Sequence, residues 1–136
     1  PEFVGEMCQA FPGKMIVGLD GLNGKVATQG WKVVTDHNVT DLARQFEQVG
    51  IAGIIYTDIN RDGMMGGINL SATLALADTV EVPIIASGGV NSLSDIEALV
   101  KLPLRAVGGI QGVITGRAIY EGTMDLREAI TLSQAP

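Results

Sequence analysis

The chain has 136 residues, 46% of them hydrophobic and 18% charged, with a mean hydropathy of +0.30; it is too apolar for a disordered chain, and no apolar run reaches the roughly 18 residues of a membrane span. A net charge of -6 argues against a nucleic-acid backbone as partner, but not against a small anion, which backbone amides at helix starts bind whatever the global charge. Cys8 is the only cysteine, so neither an intrachain disulfide nor a thiolate metal cluster is available, and a cytoplasmic protein of one domain, residues 1–136, is expected.

Glu2 to Ala10 reads as a helix stopped by Phe11-Pro12-Gly13. Four short apolar runs then recur: Met15 to Leu19, Gly53 to Thr57, Pro83 to Ser87 and Gly112 to Thr115. Each is nearly continuous rather than alternating, which predicts parallel strands covered on both faces. Helices are predicted between them. The first has Thr40 as N-cap, Leu42, Ala43, Phe46 and Val49 on one face, and Gly50 as its stop. The second runs from Ser71 to Thr79 with Leu74, Ala77 and Val80 inward. The third opens on a Ser94-Asp95-Ile96-Glu97 capping box and turns Ile96, Leu99 and Val100 inward. Asp125 to Leu132 forms the last.

Alternating strands and helices make an α/β fold with a parallel sheet and right-handed crossovers. Two architectures fit: an open doubly wound sheet, or part of a (βα)8 barrel, which needs eight units where only four are read here. With Pro1 entering mid-helix, the chain is expected to be a fragment.

In either architecture ligands bind at the carboxyl ends of the strands. Those ends hold Asp20, the run from Thr57 to Asp62 and Gly63, Ser87-Gly88-Gly89 and Thr115-Gly116-Arg117. Glycines there let backbone N–H groups approach an anion, and a following helix start adds its dipole; the other reading is two tight turns. Asp20 follows an apolar strand, where partial desolvation raises a carboxyl pKa toward acid–base work; it equally suits capping the Gly21–Gly24 turn. Asp62 is a turn former or a ligand contact, and Thr57 bonds a substrate or its own backbone. His37, in a polar loop without a second His or Cys nearby, reads as a surface residue. Trp31 is a loop anchor or a stacking lid, Met64 and Met65 mark a loop, and Cys8 packs in its helix. Walker, G-x-G-x-x-G and nucleophile-elbow motifs are absent from the sequence.

The runs GLDGLNGKVATQGW (18–31), YTDINRDGMMGG (56–67), ASGGVNSLSDIEAL (86–99) and GVITGRAIYEGTMDLREAI (112–130) together resemble the carboxyl-terminal half of the phosphoribosylformimino-5-aminoimidazole carboxamide ribotide isomerase family of histidine biosynthesis. The resemblance implies half of a (βα)8 TIM barrel, its last four strands with their helices. It implies an Amadori rearrangement of an aminoaldose to an aminoketose on a substrate with two phosphates, without metal or organic cofactor. Asp20 matches the family's acid that protonates the ring oxygen, Thr57 the hydroxyl near the reacting sugar, and Asp62 with Gly63 the RDG loop. Ser87, Gly88, Gly89, Gly116 and Arg117 match the loops that hold one phosphate. The family's second aspartate, a base at the end of strand one, belongs to the other half, so the chain alone is expected to be inactive. A bare half barrel is expected to self-associate, as a homodimer or higher, through its uncovered face and edges. The alternatives are the cyclase subunit of imidazole glycerol phosphate synthase and a non-catalytic phosphate-binding module. Dual specificity for phosphoribosylanthranilate depends on the other half and on loop residues.

Overall fold

The computed structural model describes residues 2–30, 32–60 and 67–134 of the chain. The helix α1 (Glu2–Ala10) stands where the sequence places it, with Cys8 packed in the core. The first apolar run is longer than read: β1 spans Ile16–Leu22, and an antiparallel hairpin, β2 (Lys25–Thr28) and β3 (Val33–Asn38), follows it. Its turn is made by Asn23 and Gly24, both left-handed at φ 52° and 81°, the geometry that suits the twist of two antiparallel strands. Then come α2 (Val39–Gln48), β4 (Gly53–Asp58), α3 (Leu70–Thr79), β5 (Ile84–Ser87), α4 (Leu93–Val100), β6 (Ile110–Val113), α5 (Arg117–Glu121) and α6 (Leu126–Ser133).

The sheet has six strands in the order β3-β2-β1-β4-β5-β6. Within it β1, β4, β5 and β6 run parallel and lie side by side in chain order. A doubly wound sheet reverses its order at a switch point and carries helices on both faces. Here the order never reverses, and crossovers of one hand then place every helix on the same face. The chain is therefore an α/β half barrel, four consecutive βα units whose sheet does not close.

One core lies between α1 to α3 and the sheet face of Leu19, Ile54, Tyr56 and Ile84; a second gathers Val90, Ile96, Ala118, Met124 and Ala129 beneath α4 to α6. The strands were expected to be covered on both faces, and that is corrected. The alternate residues of β1, β4 and β5 face away from the helices: Ile16 is 50% exposed, and Ile55 and Ile85 are half-buried. Among the described residues no element lies over them.

The helix ends differ from the predicted ones for local reasons. Asn38, not Thr40, precedes α2, and its side chain is committed to Lys25 Nζ (2.9 Å) and Asp41 Oδ2 (3.0 Å) rather than to a cap bond. The α4 start lies at Ser92: Asp95 Oδ2 accepts from the N–H groups of Asn91 (2.8 Å) and Ser92 (3.2 Å), so Ser94 falls inside the first turn. In α3 the buried stripe is centred on Leu76 and Ala77, with Leu74 half-buried. Val49 and Val100, expected inward, are each 36% exposed at the ends of their helices. The last strand is Ile110–Val113, not Gly112–Thr115, because the ladder begins earlier, with Ile84 N–H donating to Gly109 O.

At the amino-terminal end of the sheet, Glu47 Oε2 accepts from the N–H groups of Glu81 (2.6 Å) and Val82 (3.1 Å), tying α2 to the α3–β5 loop. Glu47→Ala removes the acceptor from two amides at once and is expected to lower stability by about 1–2 kcal/mol. The urea unfolding midpoint checks this, with Glu47→Gln, which keeps an acceptor oxygen, losing less.

Candidate active site at the carboxyl rim of the sheet

The parallel register pairs Asp20 with Thr57, and Thr57 with Ser87. Residues paired in neighbouring parallel strands project to the same face, and strands lie about 4.8 Å apart. Asp20, Thr57 and Ser87 therefore form one row about 10 Å long, at the carboxyl ends of three adjacent strands and on the face away from the helices. All three are half-buried. An acid, a hydroxyl and a second hydroxyl in such a row can present a proton donor and hydrogen-bonding groups to one polyhydroxylated ligand.

Asp20 sits within β1 rather than just past its end. It pairs with Ala27 of the hairpin on one side and with Thr57 on the other, two residues before the Asn23-Gly24 turn. Strand alternation puts its side chain on the bare face.

Beside this row are the two glycine loops. Ile114 N–H donates to Ala86 O at 2.8 Å, so the loops after β5 and β6 leave neighbouring strands at the same end of the sheet. Gly88 and Gly89 are left-handed at φ 96° and 82°. A Cβ on Gly88 would lie 2.6 Å from Asp58 O, so only a glycine lets this loop rest on the end of β4. Gly116 precedes α5, and a Cβ there would meet nothing within 4 Å, which leaves its backbone open to a ligand. Arg117 opens α5, its guanidinium Nε bonded to Glu121 Oε1 at 3.4 Å along the helix. It also brings to the loop the N–H of a helix first turn.

Asp62 and Gly63 lie outside the described residues, as do Trp31, Met64 and Met65. His37 is in β3 instead of a loop, exposed, its N–H donating to Thr35 Oγ1 at 3.2 Å. Among the described residues no group of three His, Cys, Asp or Glu could hold a metal ion.

Sequence reasoning placed two further residues at the strand ends without giving either a role. Thr115, just before Gly116, has a buried hydroxyl with no hydrogen-bond partner among the described residues. Asp58 is buried, at 5% exposure, at the end of β4. Strand alternation beyond Thr57 was the one available sign that Asp58 turns toward the helices.

A cavity of about 270 Å³ lies on the opposite face, lined by Asn38, Val39, Thr40, Tyr56, Ala72 and Leu76 among others, and so is separate from the rim row. The Tyr56 pKa is pushed up to about 12 from 10.0, first by burial and then by the nearby Asp58 charge. Its hydroxyl thus keeps its proton at neutral pH. In the window from pH 10 to 12 the folded protein holds a proton that the unfolded chain has lost, so stability falls as pH rises through that window. Unfolding midpoints measured from pH 8 to 12 should show this decline, and Tyr56→Phe should flatten it.

A profile of the family described as "Histidine biosynthesis protein" matches residues 1–125. The chain belongs to that histidine biosynthesis family. Over 134 residues it is 57% identical to the 1-(5-phosphoribosyl)-5-((5-phosphoribosylamino)methylideneamino) imidazole-4-carboxamide isomerase of Trichlorobacter lovleyi, covering 98% of this chain and 54% of that protein. Family members carrying the same isomerase name in Hydrogenovibrio crunogenus and Pseudomonas paraeruginosa are 56% and 57% identical, each covered over 53% of its length. The chain spans about half the length of the curated relatives it matches. No helix among the described residues is long and apolar enough to cross a membrane.

Proposed function

We propose that this chain is the carboxyl-terminal half of a ribotide isomerase of histidine biosynthesis, acting in the cytoplasm on a phosphorylated aminoaldose. Opening the furanose needs a proton on the ring oxygen and gives an imine at C1; turning that imine and the C2 hydroxyl into a C1 amine and a C2 ketone needs the C2 proton removed and a proton delivered to C1. The two steps call for an acid and a base on either side of the sugar. Asp20 is the acid. Thr57 and Asp62 hold the reacting sugar, and Gly63, Ser87, Gly88, Gly89, Gly116 and Arg117 hold substrate and one phosphate. The base comes from the amino-terminal half, as the resemblance implies. Only protons move and one carbon is oxidised as its neighbour is reduced, so the step needs no external oxidant.

The observation that supports this most is the register row Asp20–Thr57–Ser87 opening onto two glycine loops at one end of the sheet. The names of the relatives favour the isomerase over the cyclase. The bare face supports a proposal about partners: with Ile16 50% and Ile114 46% exposed there, a second copy covers it when the chain is alone.

Light scattering and turnover test both parts together. Alone, the chain should be a homodimer or larger and show no isomerase activity. Mixed with the amino-terminal half of one of its relatives, it should form a one-to-one complex that turns over the aminoaldose. A stable monomer at micromolar concentration refutes the self-association, and a well-formed but inactive complex refutes the isomerase in favour of a phosphate-binding module.

A further inference from the structure

Asp58 and Thr73 are the buried polar residues among those described, and Asp58 is the carboxylic acid of the two. It follows Thr57 in β4 and so projects to the helix face, away from the Asp20–Thr57–Ser87 row. A ligand lying on that row is out of its reach. Its two carboxylate oxygens are used differently. Oδ1 accepts from Asn60 N–H at 3.0 Å, and Oδ2 accepts from the side-chain amide of Asn69.

Asn60 and Asn69 are the two ends of the β4–α3 connection. Each is anchored further. Ile59 N–H donates to Gly21 O (3.0 Å), and Asn60 Nδ2 to Asn23 Oδ1 (3.3 Å), which fastens the outgoing end to the β1–β2 hairpin. Asn69 Oδ1 accepts from Ala72 N–H (3.2 Å), so the returning end is the N-cap of α3. The connection thus leaves and returns at a single buried carboxylate. In sequence, Asp62 lies between those two ends.

We propose that Asp58 is a positioning residue for the reaction: it fixes both ends of the β4–α3 connection at the rim and acts on the substrate only indirectly, through the position of those two ends beside Thr57. This rests on the isomerase reading above. Both oxygens matter because each accepts from an N–H donor. An amide at position 58 would set its NH2 against the NH2 of Asn69, and turning Asn69 over to relieve this would remove the acceptor from Ala72 N–H. The hydrogen-bond pattern therefore predicts its own rescue. In Asp58→Asn combined with Asn69→Asp, the position-58 amide donates to the position-69 carboxylate, which still accepts from Ala72, while the remaining oxygen at 58 still accepts from Asn60.

Two measurements test this. In the chain by itself, amide hydrogen exchange of residues 59, 60 and 69–73 should quicken about tenfold or more in Asp58→Asn and return to the parent rate in the double variant. In the complex with the amino-terminal half, Asp58→Asn should raise KM for the aminoaldose about 10- to 100-fold with kcat little changed, and the double variant should recover it. A folding defect alone would lower apparent kcat and leave KM where it was. Unchanged exchange in Asp58→Asn, or a double variant no better than the single one, overturns the proposal; if Asp58→Asn does not fold, the double variant against Asn69→Asp decides it. A parent complex without turnover refutes the isomerase reading, and the exchange rates then still decide whether the carboxylate holds the two ends.

Discussion

Asp20→Asn, made in the complex of this chain with the amino-terminal half of one of its relatives, is expected to lower kcat by about 10²–10⁴-fold and to leave binding of the aminoaldose near the parent value. The amide is nearly isosteric with the carboxylate and keeps an acceptor oxygen, but it has no proton to give to a ring oxygen. The backbone at this position is fixed on both sides, by Ala27 across the antiparallel pair and by Thr57 across the parallel one. A side-chain change of this size therefore leaves the strand where it is, and what is lost is the chemistry. Steady-state kinetics of the complex, with affinity for the product measured separately, check the split. Turnover equal to the parent would place the ring-opening acid elsewhere on the rim, and a matched fall in affinity would make Asp20 a binding group.

The four parallel strands were legible because their faces are dominated by β-branched and small residues in short runs bounded by glycine or proline, as in Pro83-Ile84-Ile85-Ala86. The hairpin was not, although Asn23-Gly24 is a strong turn signal. Its second arm, Val33 to Asn38, is exposed along almost its whole length, so the chain had no apolar alternation there to reveal a strand. Helix bodies could be read from their stripes, whereas their starts depend on which of several nearby polar residues wins the cap. Asn38 is drawn into the hairpin by Lys25, and Asp95 reaches back past Ser94.

The site divides in the same way. Asp20, Thr57 and Ser87 could each be named from the residues around them, but their common row is a property of strand register, which a single sequence does not contain. Asp58 is the clearest omission. Next to Thr57 it looks like one more polar rim residue; only the helix layer over β4 makes it a buried carboxylate with two bonded oxygens.

Gly88→Ala should be the most damaging of the glycine substitutions at the rim, because two separate costs fall on one residue. An alanine at φ 96° is strained whatever surrounds it, by about 1–2 kcal/mol. Its Cβ would also lie 2.6 Å from Asp58 O, a backbone atom at the end of a strand paired on both sides, which has little room to yield. Together these are expected to cost about 3–5 kcal/mol, a large share of what a domain of this size has to spare. Two other glycines separate the contributions. Gly24 is also left-handed, at φ 81°, but a Cβ there meets nothing within 4 Å, so Gly24→Ala should show the backbone strain alone. Gly116 has neither a positive φ nor a neighbour within 4 Å, so Gly116→Ala should leave the urea midpoint nearly unchanged. If the loops after β5 and β6 form one anion cradle, Gly116→Ala should still weaken inorganic phosphate binding, since the new methyl group stands between the backbone and the ligand. A Gly116→Ala variant that binds phosphate like the parent would remove that loop from the cradle. A Gly88→Ala variant as stable as Gly24→Ala would show that the end of β4 moves more freely than its two ladders allow.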